Sequence, residues 1–538
     1  MKNYKLSIII PARNETYLSK TIEDILENIE GDTEIIAVLD GKWTDPGIPQ
    51  HKRVTVLFYP ESIGQRAATN QGVKLSKAKY VMKVDAHCAF DKGFDVKMMD
   101  NMQDDWTMVP VMKNLHVFDW ICPDCGYRHY QGTKPIVGTG KKVLKECPEC
   151  KGKGDFTTEL VWRAKPGPNS TAYRFDRTMH FQYWGGFKKL QNSDLDETMS
   201  LQGSCFMCTR KKYIELDICD EKFGSWGQQG VEVACKTWLS GGRVIVNKKT
   251  WYAHMFRTQG GDFGFPYKHK PGGINHAREY SRDLFINNKW DKAIHSFQWL
   301  LDKFSPPDWD FKKGIVYYSD CEKDPELLGK VQRQIKKGPI DDIVSVSLKP
   351  MEFGQNIHLP LERGYITMFK QILTGLEAST AEVIFLCEDD VLYHPSHFDF
   401  VPTEKDIFYY NTNVYKVRME DGHALRVDDC RQVSGLCADR ELLIEHYRKR
   451  LKLCEEKGFS MKMGFEPGTH NREEKVDGYK SKGWESRRPN VDLRSDKTLT
   501  KSRWKKEDFR NQKYTIGWTE TRNIPGWGSF NHLWNKLK

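Results

Sequence analysis

Residues 5–88 alternate short apolar runs with segments of helical spacing, and this alternation constrains the fold more than any other feature of the chain. The runs are KLSIIIPA, TEIIAVLD, RVTVLFY and KYVMKVDAHC. Between the first two, Thr16 to Ile29 places Ile22, Ile25, Leu26 and Ile29 on one helical face. Gly64 to Ala78 reads as a second helix. Continuously apolar strands joined by helices predict a mostly parallel sheet covered on both faces. In such sheets, ligands bind beyond the carboxyl ends of the strands. Pro11, Arg13, Glu15, Asp40 and the Asp85–His87 segment fall at those ends.

The pattern breaks at residues 111–160 and resumes at 200–256 with LQGSCFMCTRKKYIEL, SWGQQGVEVACKTWLSGGRVIV and TWYAHMFR. It begins afresh near Gly314. GIVYYSD, DIVSVSL and DIFYYNTNVYKV read as strands, and Gly364–Ala378 and Glu441–Lys452 as helices. EVIFLCEDDVLY is a strand running into Glu388, Asp389 and Asp390. A chain of 538 residues exceeds one core. The expected division is a first α/β domain (1–285) with an insertion at about 118–155, and a helical linker (286–311). A second α/β domain (312–467) and a basic, Trp-rich extension (468–538) follow.

The insertion carries Cys122-Pro-Asp-Cys125 and Cys147-Pro-Glu-Cys150. Four thiolates at this spacing predict a closed, tetrahedral, structural Zn²⁺ site, a zinc ribbon. The other ten cysteines are scattered, as reduced thiols are, and Cys205 and Cys208 read as buried residues of a strand. No apolar stretch approaches a membrane span, and the first apolar run meets Pro11, Arg13 and Glu15 without a cleavage site. A cytoplasmic location is expected.

The net charge of +10 is uneven. Residues 468–538 hold 17 Lys and Arg against 9 Asp and Glu, and residues 111–153 hold 8 against 4. In the tail, Lys482, Arg487, Arg488, Arg494, Lys501, Arg503, Lys505, Lys506 and Arg510 are interleaved with Trp484 and Trp504. Such a mixture can track phosphates and stack on bases, stack on sugars, or pack as an arm.

Asp85 and His87 stand at i and i+2 beyond an apolar strand, so both can face one ion. A carboxylate and an imidazole suit Mn²⁺ or a similar cation, which could neutralise a diphosphate leaving group. The surrounding motifs resemble family 2 GT-A glycosyltransferases, especially the polypeptide N-acetylgalactosaminyltransferases. Pro11-Ala12-Arg13-Asn14-Glu15 looks like their P-x-x-N-E segment, and Arg66 like the arginine of their donor helix. Asp85-Ala86-His87-Cys88 is similar to their metal motif. Trp226-Gly227-Gln228-Gln229-Gly230-Val231-Glu232 resembles their W-G-G-E-N-x-E block, and Trp238-Leu239-Ser240-Gly241-Gly242 the turn after it. Ala253-His254-Met255-Phe256-Arg257 looks like the segment bearing their third metal ligand.

The resemblance covers roughly residues 5–280. It implies a GT-A fold, Asp85, His87 and His254 around Mn²⁺ (or Mg²⁺), and a UDP-type donor. Pro11, Arg13, Glu15, Asp40, Arg66, Asp85 and Arg257 become donor-site candidates, and Asp85, Trp226, Gln229 and Glu232 catalytic candidates. The matching order of the second half suggests a diverged GT-A-like domain, with Glu388, Asp389, Asp390 and His470 as candidates for a second site. The family's Glu is Gln229 here, and Gln cannot be a general base. A retaining mechanism, or a base such as Glu232, is then expected. Thr258–Tyr267, rich in glycine and aromatics, suits a lid. The expected activity is transfer of a sugar to a hydroxyl. A hydroxylated DNA base is slightly favoured as acceptor, as in phage-type DNA hypermodification, over glycan or protein. The rival is a non-catalytic nucleic-acid-binding protein on a transferase fold.

Overall fold

Strand β1 (Leu6–Ala12) lies in the middle of a sheet and is buried on both faces, Ile8 and Ile10 with Leu18, Ile22 and Ile25, and Ile9 against Gly72. Its parallel neighbours are β2 (Thr33–Asp40) and β4 (Tyr80–Val84), and β3 (Val54–Tyr59) pairs with β2. These strands belong to a computed structural model that describes residues 4–131, 146–153, 156–256, 272–309, 312–340, 342–470, 476–478, 480–498, 502–509 and 512–537. Helix α1 (Leu18–Asn28) buries Leu18, Ile22 and Ile25 against the sheet, as the spacing predicts. Helix α2 (Gln65–Leu75) approaches β1 so closely that a Cβ on Gly72 would stand 2.5 Å from Ile9 Cγ2.

The sheet continues through β7 (Cys205–Thr209), antiparallel to β4, to β6 (Trp106–Ile121) and β8 (Arg243–His254). The order is therefore β3-β2-β1-β4-β7-β6-β8, with the short β5 (Cys88–Phe90) antiparallel on the end of β8. The expected break at 111–160 begins too early. β6 runs 16 residues without interruption, and its outer end pairs with Arg128–Tyr130 and Thr157–Ala164 to support the cysteine-bearing insertion.

The chain divides into two compact units, the first comprising Met1–Arg282, Lys292–His295 and Asp302–Phe304 and the second the remainder. The second unit has its own parallel core of β9 (Lys313–Ser319), β10 (Ile343–Ser347), β11 (Gln355–His358) and β12 (Val383–Glu388). Helix α4 (Tyr365–Ala378) covers β9 and β10. The sheet is completed by β14 (Phe408–Asn411), β16 (Leu436–Asp439) and β17 (Ser481–Trp484) in the order β11-β10-β9-β12-β16-β14-β17. Only β16 runs against its neighbours. A smaller sheet joins β13 (Val391–Leu392), β15 (Val414–Arg418) and β18 (Asn490–Arg494), with Ala424–Arg426 and Thr519–Thr521 beyond.

The expected boundary at residue 467 is not a boundary of this unit, because β17 and β18 both come from the tail. Trp484 is 3 % exposed and stacked on Phe400 at 4.3 Å, so it belongs to the core and cannot stack on a base. Arg494 is likewise turned inward, onto Asp492 at 2.6 Å. Lys501 and Arg510 lie outside the described residues. Among the described residues, no helix is long and apolar enough to cross a membrane.

Candidate active site

At the carboxyl edge of the first sheet lies a cavity of about 590 Å³. Strand β1 delivers Pro11, Ala12, Arg13 and Glu15 to it, β2 delivers Asp40, β4 delivers Lys83, Asp85 and His87, and β8 delivers His254. The far wall holds Trp226, Gln228 and Gln229, at and before the start of helix α3 (Gln229–Leu239).

Asp85, His87 and His254 each offer an atom within 4.8 Å of the others. His254 Nε2 is 3.2 Å from Asp85 Oδ2, and the two imidazoles are 4.8 Å apart between centroids. The pairing of β5 with the end of β8, His254 opposite Cys88, brings these distant residues together. His254 Nδ1 is buried without a protein partner. This donor set fits Mn²⁺ or Mg²⁺ coordinated by one carboxylate and two imidazoles, Mn²⁺ the better for the nitrogen ligands. His87 has Glu15 Oε2 at 3.3 Å, the carboxylate–histidine contact that orients a ligating ring.

Lys83, on the same face of β4, donates to Asp85 Oδ1, and both of its neighbours hold it in place, since it also bonds Gly203 O at 2.8 Å. Burial opposes ionisation of Asp85, but the Lys83 ammonium and the two histidines outweigh it and hold the carboxyl well below the usual range. Burial pushes His254 down to about 4, only partly opposed by its bond to Asp85, so its imidazole is neutral and able to ligate at neutral pH. Lys83 was missed from sequence. Its signal was available: a lone cation inside an apolar strand, two residues before a carboxylate.

Asp40 accepts from Ser62 Oγ at 2.9 Å, Ile63 N at 2.6 Å and Gly64 N at 3.1 Å, so it shapes the turn into α2 at the cavity edge. Gln229 is 7 % exposed and donates to Cys219 Sγ at 3.0 Å. Two expected site residues lie elsewhere. Arg66 and Glu232 form a buried ion pair outside the cavity lining, both 1 % exposed or less. Glu232 also takes Lys236 Nζ at 2.9 Å and Asp220 N at 2.8 Å, and Arg66 bonds Gly227 O at 2.6 Å. Glu232 therefore has no oxygen to serve as a base, and Arg66 braces the Trp226–Gly227 turn. Arg257 and the expected lid, Thr258–Tyr267, lie outside the described residues.

In the insertion, Cys122 and Cys150 Sγ are 3.8 Å apart and Cys125 and Cys147 Sγ 3.6 Å. Zn–S bonds of about 2.3 Å require sulfurs about 3.8 Å apart at the corners of a tetrahedron, so the four fit Zn²⁺. Each pair forms the same knuckle: Gly126 N bonds Cys122 O at 3.0 Å, and Lys151 N bonds Cys147 O at 2.9 Å. Four thiolates leave no open position for chemistry.

In the second unit, burial and the charge of Asp390 push Glu388 up to about 8 and Asp389 up to about 7. His470 is not among their partners; it bonds Thr469 Oγ1 at 2.7 Å and packs on Phe465. His397 is buried against Trp484 and Phe398, as an aromatic of the core.

A family model described as Glycosyl transferase family 2 matches residues 7–119. Putative polypeptide N-acetylgalactosaminyltransferase 13 of Drosophila melanogaster is 21 % identical over 352 residues, covering 56 % of this chain and 56 % of that protein. Polypeptide N-acetylgalactosaminyltransferase 10 of Homo sapiens is 20 % identical over 365 residues, covering 61 % and 53 %. The chain thus spans about half the length of the curated relatives it matches. Among solved structures, GalNAc-T7 with UDP, GalNAc and Mn²⁺ aligns at 16 % identity and a TM-score of 0.38, covering 56 % of this chain and 57 % of that one. S. aureus TarS 1-349 aligns at 13 % and 0.25, covering 47 % and 60 %. Residues 7–119 are thus similar to the family 2 glycosyltransferases, and they form the parallel α/β half of the first sheet. Within that class the chain resembles the polypeptide N-acetylgalactosaminyltransferases.

Proposed function

We propose that the first unit transfers a sugar from a UDP-type nucleotide donor to a hydroxyl acceptor with retention at the anomeric carbon. The observation that carries this is the convergence of Asp85, His87 and His254 on one point in the cavity. A divalent cation held there would neutralise charge building up on the departing diphosphate. Arg13 lines the same cavity and supplies a fixed cation for the donor's phosphates. Asp40 holds the turn before α2, and Trp226 lines the cavity.

Retention is supported by the carboxylates. Among the described residues lining the cavity they are Glu15, Asp40 and Asp85, and each is engaged: Glu15 with His87, Asp40 with the turn, Asp85 with Lys83 and His254. An inverting reaction needs a base on the face opposite the leaving group. In the retaining alternative the C1–O bond to the diphosphate breaks and the acceptor oxygen bonds C1 on the same face. The acceptor's proton passes to the departing phosphate oxygen, so no protein base is required.

The second unit is proposed as a diverged GT-A-like domain, supported by a strand order and a single reversed strand that repeat those of the first. A hydroxylated DNA base as acceptor is supported by the tail's surplus of cations, of which Arg503, Lys505 and Lys506 are exposed. Residence in a reducing cytoplasm is supported by fourteen unpaired cysteines. The test is to incubate the protein with Mn²⁺ and a panel of UDP-sugars, then with acceptors including hydroxymethylated DNA, and to read the product anomer by NMR. Donor cleavage that Asp85→Asn abolishes supports the reading. Failure to bind or cleave any nucleotide sugar overturns it, and an inverted product overturns the mechanism.

A further inference from the structure

Lys83 is a cation inside an apolar strand. It stands opposite Ile9 on β1 and Phe206 on β7, both buried, and is itself 2 % exposed. Burying an ammonium is costly unless it is paired and hydrogen-bonded. The strand does not require the charge, because the second unit builds the same strand without one. Tyr80 on β4 pairs with Thr209 on β7, as Val383 on β12 pairs with Asp439 on β16. Arg210 N bonds Lys79 O and Arg440 N bonds Glu382 O, both at 2.8 Å. Gly72 and Gly375 on the preceding helices make the same close approach: a Cβ on either would stand 2.5 Å from a methyl of the first strand, Ile9 or Val316. Gly72 and Gly375, Lys79 and Glu382, and Tyr80 and Val383 are all 303 positions apart. That spacing puts Leu386, fully buried, in the place of Lys83.

What the ammonium touches explains its presence. Lys83 Nζ donates to Asp85 Oδ1 and to Gly203 O, the latter at 2.8 Å, and it lines the cavity. Gln65 Nε2 lies 3.5 Å from the same Asp85 oxygen. The other oxygen, Oδ2, faces His254 Nε2 at 3.2 Å. The carboxylate is therefore pinned, with one oxygen on Lys83 and the other turned to the imidazoles. The bond to Gly203 ties this arrangement to the cavity wall, where Asp85 N also bonds Ser204 O at 2.8 Å. Asp85 is the sole carboxylate of the three candidate ligands, and Lys83 balances its charge.

We propose that Lys83 is a positioning residue that makes cation binding depend on the donor: it fixes Asp85 as a one-oxygen ligand and keeps a divalent cation weakly held until a diphosphate is present. The inference rests on the reading of this cavity as a UDP-sugar site. Like charges repel, so an ammonium on Oδ1 lowers the affinity of the same carboxylate for a cation at Oδ2. A diphosphate brings negative charge to that place, offsets the ammonium and adds oxygen ligands. The two sites are then coupled, each raising the affinity of the other. An apolar residue at position 83, as Leu386 is in the second unit, would free Oδ1 and remove the repulsion.

The test measures Mn²⁺ affinity by electron paramagnetic resonance on the full-length, zinc-loaded chain, without and with UDP, against a blank of Mn²⁺ and UDP. In wild type, UDP should tighten Mn²⁺ binding by about tenfold or more, as coupled sites do. Lys83→Met should bind Mn²⁺ alone about tenfold tighter than wild type, and the gain from UDP should shrink by a similar factor. A lysine that merely supported the fold would do the opposite, since losing it would loosen the ligands. If Lys83→Met fails to fold, Lys83→Gln keeps a polar group beside Asp85 and Gly203 and makes the same measurement. The proposal is overturned if the folded, uncharged variant binds Mn²⁺ no tighter than wild type, or if its gain from UDP is undiminished. The expected pattern in a protein that cleaves no nucleotide sugar would sink the proposed activity and leave the role of Lys83 standing. A wild type that binds no Mn²⁺ with or without UDP would overturn both.

Discussion

Glu232 shows how far an environment can move a residue from its expected role. Its place in a block resembling W-G-G-E-N-x-E made it a candidate base, yet it is fully buried between Arg66 and Lys236. Removing one partner of a buried ion pair leaves the others uncompensated, typically at about 3–5 kcal/mol. Glu232→Gln should therefore lower stability by about 3 kcal/mol in urea unfolding, with the folded fraction keeping its donor turnover. A fully stable variant that has lost turnover would restore the base. Asp85→Asn should do the reverse, reducing turnover by about 10²-fold or more with little change in unfolding midpoint. The convergence of Asp85, His87 and His254 was legible from sequence because Asp85 and His87 sit two apart and His254 lies in a recognisable segment. Arg66 and Glu232 were misjudged because a buried partner 166 positions away leaves no local mark.

At the scale of elements, apolar runs bounded by turns were easy to read, and β1 to β4 stand where the alternation put them. Strand β6 was hidden because its 16 residues carry Lys113, Asn114, His116 and Asp119, polar residues that suggest a loop. They are tolerated because the outer half of the strand leaves the main sheet and supports the cysteine insertion. Cys122 and Cys147 are buried there with Phe118, Trp120 and Phe156, a core too small to hold the insertion alone. Zinc should be present at one per chain by metal analysis of protein purified without chelator. Cys147→Ser or strong chelation should expose the segment around 122–153 to protease while donor turnover in the main cavity persists. Protein that is zinc-free as purified, yet equally protease-resistant, would contradict this. The paired glycines make a second element-scale test. Gly375→Ala should cost about 1–3 kcal/mol by overpacking against Val316, and Gly72→Ala the same against Ile9.

For the whole molecule, the question is what the uneven charge does. Composition set the tail apart as a basic, Trp-rich extension and left open whether it tracks phosphates, stacks on sugars or packs as an arm. The structure spends part of that sequence inside the second unit: Trp484 stacks on Phe400, Trp527 bonds Pro489 O at 2.8 Å, and Arg494 balances Asp492. Only the cations that remain on the surface can meet a polyanion. Arg503, Lys505 and Lys506 are exposed, and half-buried Trp504 lies under Arg418 at 5.3 Å. If these residues contact a DNA backbone, affinity must fall steeply with salt, because each neutralised phosphate releases counterions. Replacing two contacting cations should lower the slope of log affinity against log salt by about two. Arg503→Glu with Lys505→Glu should therefore weaken duplex binding at low salt by more than tenfold, flatten that slope, and leave UDP-sugar cleavage in the first unit unchanged. The comparison needs only intact protein, one duplex and two salt concentrations. Unchanged DNA affinity and unchanged slope would mean that the surface charge merely solvates the second unit, and the acceptor would then be sought among glycans and proteins.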